Sequence, residues 1–466
     1  MNTTLNNDKL LRTVRALLLV IAACTTRCVG AADAVTAVII DNCTVFDSMA
    51  GEMQPGQKIV IRGDRIESVV AAGEPLDIPA DAQRIDGSGK YAIPGLIDAH
   101  VHVVHILDYA HVTGDEVLPL YLAAGVTSIR STGDEIVAAT LIARYADKHP
   151  ESSPRLFTCS PLIDNDPPIH RDIGRAVTDP AQVPALIEEL ERWNVTTLKI
   201  YARTGPEVGK AVIEEGHKHG MFVTAHLGPY TPQQAVADGI DGLEHIWSVF
   251  NYIIPSETTS QPGYRGRVDF DNPICQSLIA ELAKHQVMVD PTLAVFRNMI
   301  LLPDVPEVHD HPDNALVPKR LRDFWPLYLQ RTGCPQGGPL EDRQREFAKF
   351  QELTGRLYRA GVPLLVGTDS PEPQCTPGFS LHQELEMLVE SGLPPAAALS
   401  AATLQNSKAL QQDEQLGSIT AGKLADIVLL DANPLEDIRH TRRINAVIHL
   451  GHVCDPAELL TMVSKE

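Results

Sequence analysis

The chain has 466 residues, with 44% hydrophobic and 21% charged side chains and a formal net charge of −21 at pH 7. That length is too great for one small core and suits a barrel-sized domain of about 250–350 residues with a smaller partner. The acidity and the lack of a basic stripe exclude a nucleic-acid partner; they favour solubility and say little about the substrate, expected to be a small molecule.

Residues 1–31 form a separate object. Lys9, Arg12 and Arg15 precede a short apolar run, Ala16–Ala23, and then a stretch of small residues. The run falls short of the ~20 apolar residues a spanning helix needs, so no transmembrane span is expected. Its pattern is that of a secretory signal, which places the protein in a periplasm or outside the cell. Two processing points compete: Val29-Gly30-Ala31 suits ordinary cleavage, and Ile21-Ala22-Ala23-Cys24 resembles a bacterial lipobox that would lipidate Cys24 as a membrane anchor. Cys43, Cys159, Cys275, Cys334, Cys375 and Cys454 lie beyond it without any CxxC spacing, which removes a zinc-finger reading. Cys334 and Cys375 sit in Gly/Pro-rich loops and either pair in an oxidising compartment or remain separate thiols.

After the leader, AVTAVIIDNCTVFDS and KIVIRGDRIESVVAAG alternate polar and apolar residues between Gly-Asp turns, as antiparallel strands do. From Ala92 the texture changes to short apolar strands separated by longer amphipathic runs. Eight strands are expected, at Leu96–Val103, Gly125–Ser131, Arg155–Ser160, Thr196–Tyr201, Met221–His226, Gly242–Ile246, Val287–Pro291 and Val362–Asp369. Asp179–Trp193, Pro206–His219 and Asp342–Ala360 read as helices between them. Eight such units make a (β/α)8 TIM-like barrel, residues 94–414. Long connections at 250–275 and 297–340 are expected over its mouth. LGSITAGKLADIVLLDANP and INAVIHLGHVC then return to strand patterning. Neither terminal β segment is large enough alone, so residues 35–93 and 415–455 are expected to join in one small β-sandwich.

In such a barrel chemistry sits at the C-terminal ends of the strands. Those ends carry His100 and His102, Lys199 and Tyr201, His226, Glu244 and His245, and Asp369. Because strand side chains alternate faces, His100 and His102 point the same way and can grip one cation. Alone, an HxH pair is as readily a hydrogen-bonded structural feature; four strand-end histidines with an aspartate form a ligand set for zinc or a related divalent ion. Lys199 cannot ligate as an ammonium. It either pairs with an acid or, deprotonated by burial, adds carbon dioxide to become a carbamate.

The motifs IPGLIDAHVH, LAAGVTSIRSTG, TTLKIYA, VTAHLG, DGLEHI, AGVPLLVGTDS and GSITAGKLADIVLLDANPLEDI resemble the amidohydrolase superfamily, in the branch of imidazolonepropionases and metal-dependent Xaa-Pro and Xaa-Arg dipeptidases. The resemblance spans nearly the whole chain after the leader. It implies two divalent metal ions, with His100, His102 and Asp369 on one, His226 and His245 on the other, and an N6-carboxylated Lys199 between them. It further implies hydrolysis of a C–N bond in a dipeptide or N-acyl amino acid by a metal-bridged hydroxide, with Asp369 as proton shuttle. Tyr201 would donate to the oxyanion or pack on the rim, and His170 would bind substrate or sit in an exposed loop. Arg203 reads as an ordinary rim arginine, and Pro291-Thr292-Leu293 as pocket wall. Glu244 either supports a metal histidine or faces the helix layer. A cyclic amide, amidine or lactone hydrolase, or a deaminase, is the alternative enzyme on this scaffold; a non-catalytic binding scaffold is the third reading. A homo-oligomer is compatible with the sequence.

Overall fold

The computed structural model of the chain describes residues 37–254, 259, 263–301, 304–332 and 338–464. The expected signal segment with Cys24, and Cys334, lie outside them. Short parallel strands, most of them buried on both faces, form a barrel wall: β6 (Leu96–Val101), β7 (Val126–Ser131) and the partly exposed β8 (Arg155–Thr158) on one side. On the other stand β11 (Thr197–Ile200), β12 (Phe222–Ala225), β13 (Gly242–Glu244) and β14 (Met288–Asp290). A bridge from Cys159 to Thr197 joins the two groups. A further pair, β9 (Leu162–Asp164) and β10 (Gly174–Ala176), extends from β11 through the loop after β8.

The eighth wall position departs from expectation. Residues 362–370 hold no regular strand; they bridge to β14 at Leu364 and to β6 at Ser370. Three of the amides between are taken by side chains: Val366 N–H donates to Asn406 Oδ1 at 3.0 Å, Gly367 N–H to Asp290 Oδ1 at 3.0 Å and Thr368 N–H to Asp98 Oδ1 at 3.1 Å. Leu365 and Asp369 N–H donate to the backbone carbonyls of Val289 and His100. Asn406 Nδ2 in return donates to the carbonyls of Ile97 at 2.7 Å and Val366 at 2.8 Å. The segment therefore closes the barrel while its backbone is free to turn. A Cβ on Gly367 would meet Asp290 Oδ2 at 2.1 Å and His100 Cβ at 2.5 Å, so the closure passes where only glycine fits.

The two chain ends build one sheet. Its order is β17 (His452–Cys454), β16 (Ile444–His449), β15 (Ile427–Leu430), β5 (Tyr91–Pro94), β1 (Ala37–Asp47), β2 (Glu52–Arg62) and β3 (Arg65–Ala71), with β4 (Gln83–Asp86) also on β1. The sheet wraps back on itself, since Ile66 N–H donates to the Lys423 carbonyl just before β15. It encloses Val38, Ile40, Ile59, Ile61, Ile427 and Ile448, a core separate from the barrel's. A small β domain drawn from both termini thus flanks the barrel. Cys43, Cys159, Cys275, Cys375 and Cys454 are buried free thiols. Among the described residues no helix is long and apolar enough to cross a membrane.

Asn406 bonds three buried backbone groups at once, of which the Val366 carbonyl also accepts from Ala99 N–H; each group left unmet costs about 1–3 kcal/mol. Asn406→Ala is therefore expected to lower stability by about 3 kcal/mol in a denaturant titration. A loss of a few tenths would show that the closure does not depend on it.

Candidate metal centre

The wall strands deliver their last residues into one cavity of about 240 Å³, whose lining includes His100, His102, Lys199, His226, His245 and Asp369. Ligand atoms of His100, His245 and Asp369 lie within 4.8 Å of one another. Asp369 Oδ1 is 3.2 Å from His102 Nε2 and 3.5 Å from His100 Nε2, and its Oδ2 is 3.9 Å from His245 Nδ1. His226 lies against His245, ring centroids 4.8 Å apart. The six residues read from the sequence as ligands are thus gathered in one place.

Behind them lies a layer of buried acids that fixes their rings. His100 Nδ1–H donates to Glu244 Oε2 at 2.8 Å, so its Nε2 lone pair turns to the cavity. Glu244 is held by Arg130 Nη2 at 2.7 Å and Thr224 Oγ1 at 2.8 Å, with both charged side chains fully buried. Burial opposes charge on Glu244, but Arg130 and Lys199 outweigh it and keep the carboxyl well below its ordinary pKa. His102 Nδ1 is 3.4 Å from Asp134 Oδ1, and Asp134 accepts from Ser131 Oγ and the amides of Val103 and His105. Burial pulls the His102 imidazole down, yet Asp134 and Asp369 together hold its pKa up at about 10. His245 Nδ1 shares a 2.8 Å hydrogen bond with Thr292 Oγ1.

Backbone strain is concentrated here. His245 has φ +67°, Thr292 +47° and Asp369 +60°. For residues with side chains this costs about 1–3 kcal/mol each and persists where the surroundings impose it. At His245 the turn breaks strand alternation, so the adjacent Glu244 and His245 both face inward.

The centre also holds polar atoms that the protein does not satisfy. Lys199 Nζ, His226 Nδ1 and Asp290 Oδ2 are buried without a hydrogen-bond partner among the described residues. Burial lowers the Lys199 pKa against the pull of Glu244, and burial with Lys199 lowers that of His226 to about 3. An unpartnered neutral imidazole nitrogen beside a carboxylate is what a divalent cation takes as ligand. The donor set therefore fits metal.

Tyr201 and His170 reach the same cavity. The Tyr201 ring stands edge-on to His226 at 5.1 Å and to His170 at 5.6 Å. Burial pushes the Tyr201 hydroxyl above its ordinary pKa, so it stays protonated. Burial and the neighbouring His105 bring His170 down to about 4. Arg203 is not in the lining; its Nη1 donates to the Pro167 carbonyl at 2.9 Å. Asp98, Arg130, Asp134, Asp290, His105 and Glu372 were not anticipated from the sequence. Asp98 alone had a readable signal, sharing the His100/His102 face by alternation. His105 Nδ1–H donates to Asp172 Oδ2 at 3.1 Å beside His170. Phe296 and Met299, with Tyr328 and Leu329, supply a largely apolar outer wall from the expected long connection.

Residues 91–454 match the amidohydrolase family. An imidazolonepropionase of Aromatoleum aromaticum is 25% identical over 411 residues, 82% of this chain and 87% of the relative. A putative prolidase from Bifidobacterium longum superposes with a TM-score of 0.68 at 25% identity, covering 92% of this chain and 98% of that one. A Xaa-Pro dipeptidase with methionine bound in its active site shares the fold at a TM-score of 0.66 and 19% identity, over 90% of this chain and 100% of that one.

Glu244→Gln would loosen the His100 ring and leave Arg130 short of its counter-charge. Divalent-metal affinity, measured by competition with a chelator, is expected to fall about 10–100-fold. Unchanged affinity would show that Glu244 serves packing alone.

Proposed function

Since the chain belongs to the amidohydrolase family and is a hydrolase acting on carbon–nitrogen bonds, we propose that it cleaves the amide bond of a small substrate, a dipeptide or an N-acyl amino acid. Lys199 carries this reading. Its Nζ is buried, pulled toward the neutral amine and without a hydrogen-bond partner. A neutral amine adds carbon dioxide, forming an N–C bond and releasing a proton. The resulting carbamate has two oxygens, enough to serve two cations. His100, His102 and Asp369 would hold one divalent ion, His226 and His245 the other, with carboxylated Lys199 between; zinc suits this mixture of imidazole and carboxylate. Such ions supply Lewis acidity, polarising the scissile carbonyl and raising the nucleophilicity of water.

The protein's own groups do the rest. Asp369, fixed at its strained turn, accepts the proton of the attacking water at a carboxylate oxygen and returns it to the leaving nitrogen. Tyr201, kept protonated by burial, donates to the oxygen that gains negative charge. His170, neutral at the cavity wall, hydrogen-bonds the substrate. The apolar wall of Phe296, Met299 and Leu329 excludes water and accepts a hydrocarbon side chain.

The full-length likeness to an imidazolonepropionase favours a second reading, hydrolysis of a cyclic amide on the same scaffold. A single metal ion per chain with no peptide cleavage would select it.

Lys199→Ala is expected to lower bound metal below the wild-type content and to cost at least about 100-fold in kcat/KM. Full metal content with unchanged activity would reject the carbamate. Asp369→Asn is expected to reduce kcat by about 10²–10⁴-fold in a hydrolysis assay of dipeptides and N-acyl amino acids. A near-normal rate would remove Asp369 as proton carrier.

A further inference from the structure

Glu372 lines the cavity three residues beyond Asp369 and takes no part in the chemistry above. Among the described residues its side chain accepts one hydrogen bond, from Tyr328 Oη at 3.4 Å. Among the described residues no arginine lines the cavity, and the only lysine there is Lys199. The carboxylates beneath the site are matched differently: Glu244 has Arg130, and Asp134 has two amides, a hydroxyl and His102. The one imidazole whose charge reaches Glu372, His102, is already held by Asp134 and Asp369. A half-buried carboxylate with one long neutral hydrogen bond and no cationic side chain of its own is a costly arrangement unless something else supplies the charge.

What faces it is suited to a cation. Tyr328 presents a ring and a hydroxyl beside the carboxylate, and Phe296 and Tyr201 add two more ring faces or edges to the same cavity. Aromatic rings around a carboxylate accommodate an ammonium or guanidinium group, the carboxylate through charge and the rings through their quadrupoles. Apolar Val295, Met299 and Leu329 would then take the carbon skeleton that carries the charge.

We propose that Glu372 is a specificity-determining residue that pairs with a positively charged group on the substrate, an ammonium or a guanidinium. This rests on the reading of the cavity as an amide-hydrolysing site, and it narrows the substrate to an organic cation with an apolar portion.

The test uses the metal-loaded full chain and two matched pairs of compounds that differ in one positive charge. Leu-Leu against 4-methylpentanoyl-Leu reports an α-ammonium, and isovaleryl-lysine against isovaleryl-norleucine reports a side-chain ammonium. Both hydrolysis and calorimetric binding are measured. The cationic member of at least one pair is expected to be favoured about 10–100-fold. Glu372→Gln should reduce that ratio to within about threefold through the KM of the cationic member, whereas Glu372→Asp should retain a clear preference. Metal content should be the same in all three proteins. No preference in the wild type, or a preference that survives in Glu372→Gln, would overturn the proposal. Selective binding of the cations without hydrolysis would uphold it and reject the amide reading instead.

Discussion

One buried ion pair sets the floor of the site. Arg130 and Glu244 are both withdrawn from water and meet at 2.7 Å, a pairing whose desolvation is repaid only when the remaining lone pairs and protons are also met. Thr224 and His100 meet those of Glu244, and the Ala99 carbonyl accepts from Arg130 Nε, while Arg130 Nη1 finds no hydrogen-bond partner among the described residues. The ring of His100 is thereby fixed in one tautomer and one orientation before any metal arrives. Remove the carboxylate's charge and the guanidinium is stranded in the barrel; remove the guanidinium and Glu244 loses the largest of the charges that keep it ionised. The catalytic face of the barrel is built outward from this pair.

The same logic accounts for the irregular eighth wall segment. A regular strand would spend its amides on neighbours and carry its side chains alternately in and out. Here Asn406, Asp290 and Asp98 take the amides of Val366, Gly367 and Thr368, and Gly367 removes the obstacle to close approach. The segment can then turn at Asp369 and present both carboxylate oxygens to the histidines. Hydrogen bonding is conserved in number while strand geometry is given up at the one place where the chemistry needs a carboxylate.

Much of this was legible in the sequence, and the remainder was hidden for physical reasons. Alternation put His100 and His102 on one face, and the spacing of short apolar runs gave the barrel and its strand ends. Alternation also obscured Glu244: beside His245 in a regular strand the two side chains would point opposite ways, and the positive φ at His245 is what sends both inward. Arg130 and Asp134 are paired to partners far away in the chain, so no local pattern announces them. Glu372 reaches the cavity from an irregular turn, and Tyr328 and Phe296 from helices that lie in or beside long connections the sequence left unassigned.

The central claim is that Lys199 becomes part of the metal centre. The most direct measurement is the number of zinc ions bound per unaltered chain, loaded with and without bicarbonate. The account predicts two ions per chain with bicarbonate and fewer in its absence, because the carbamate bridge needs carbon dioxide. One ion per chain under both conditions would contradict it and return Lys199 to the role of an ordinary buried amine.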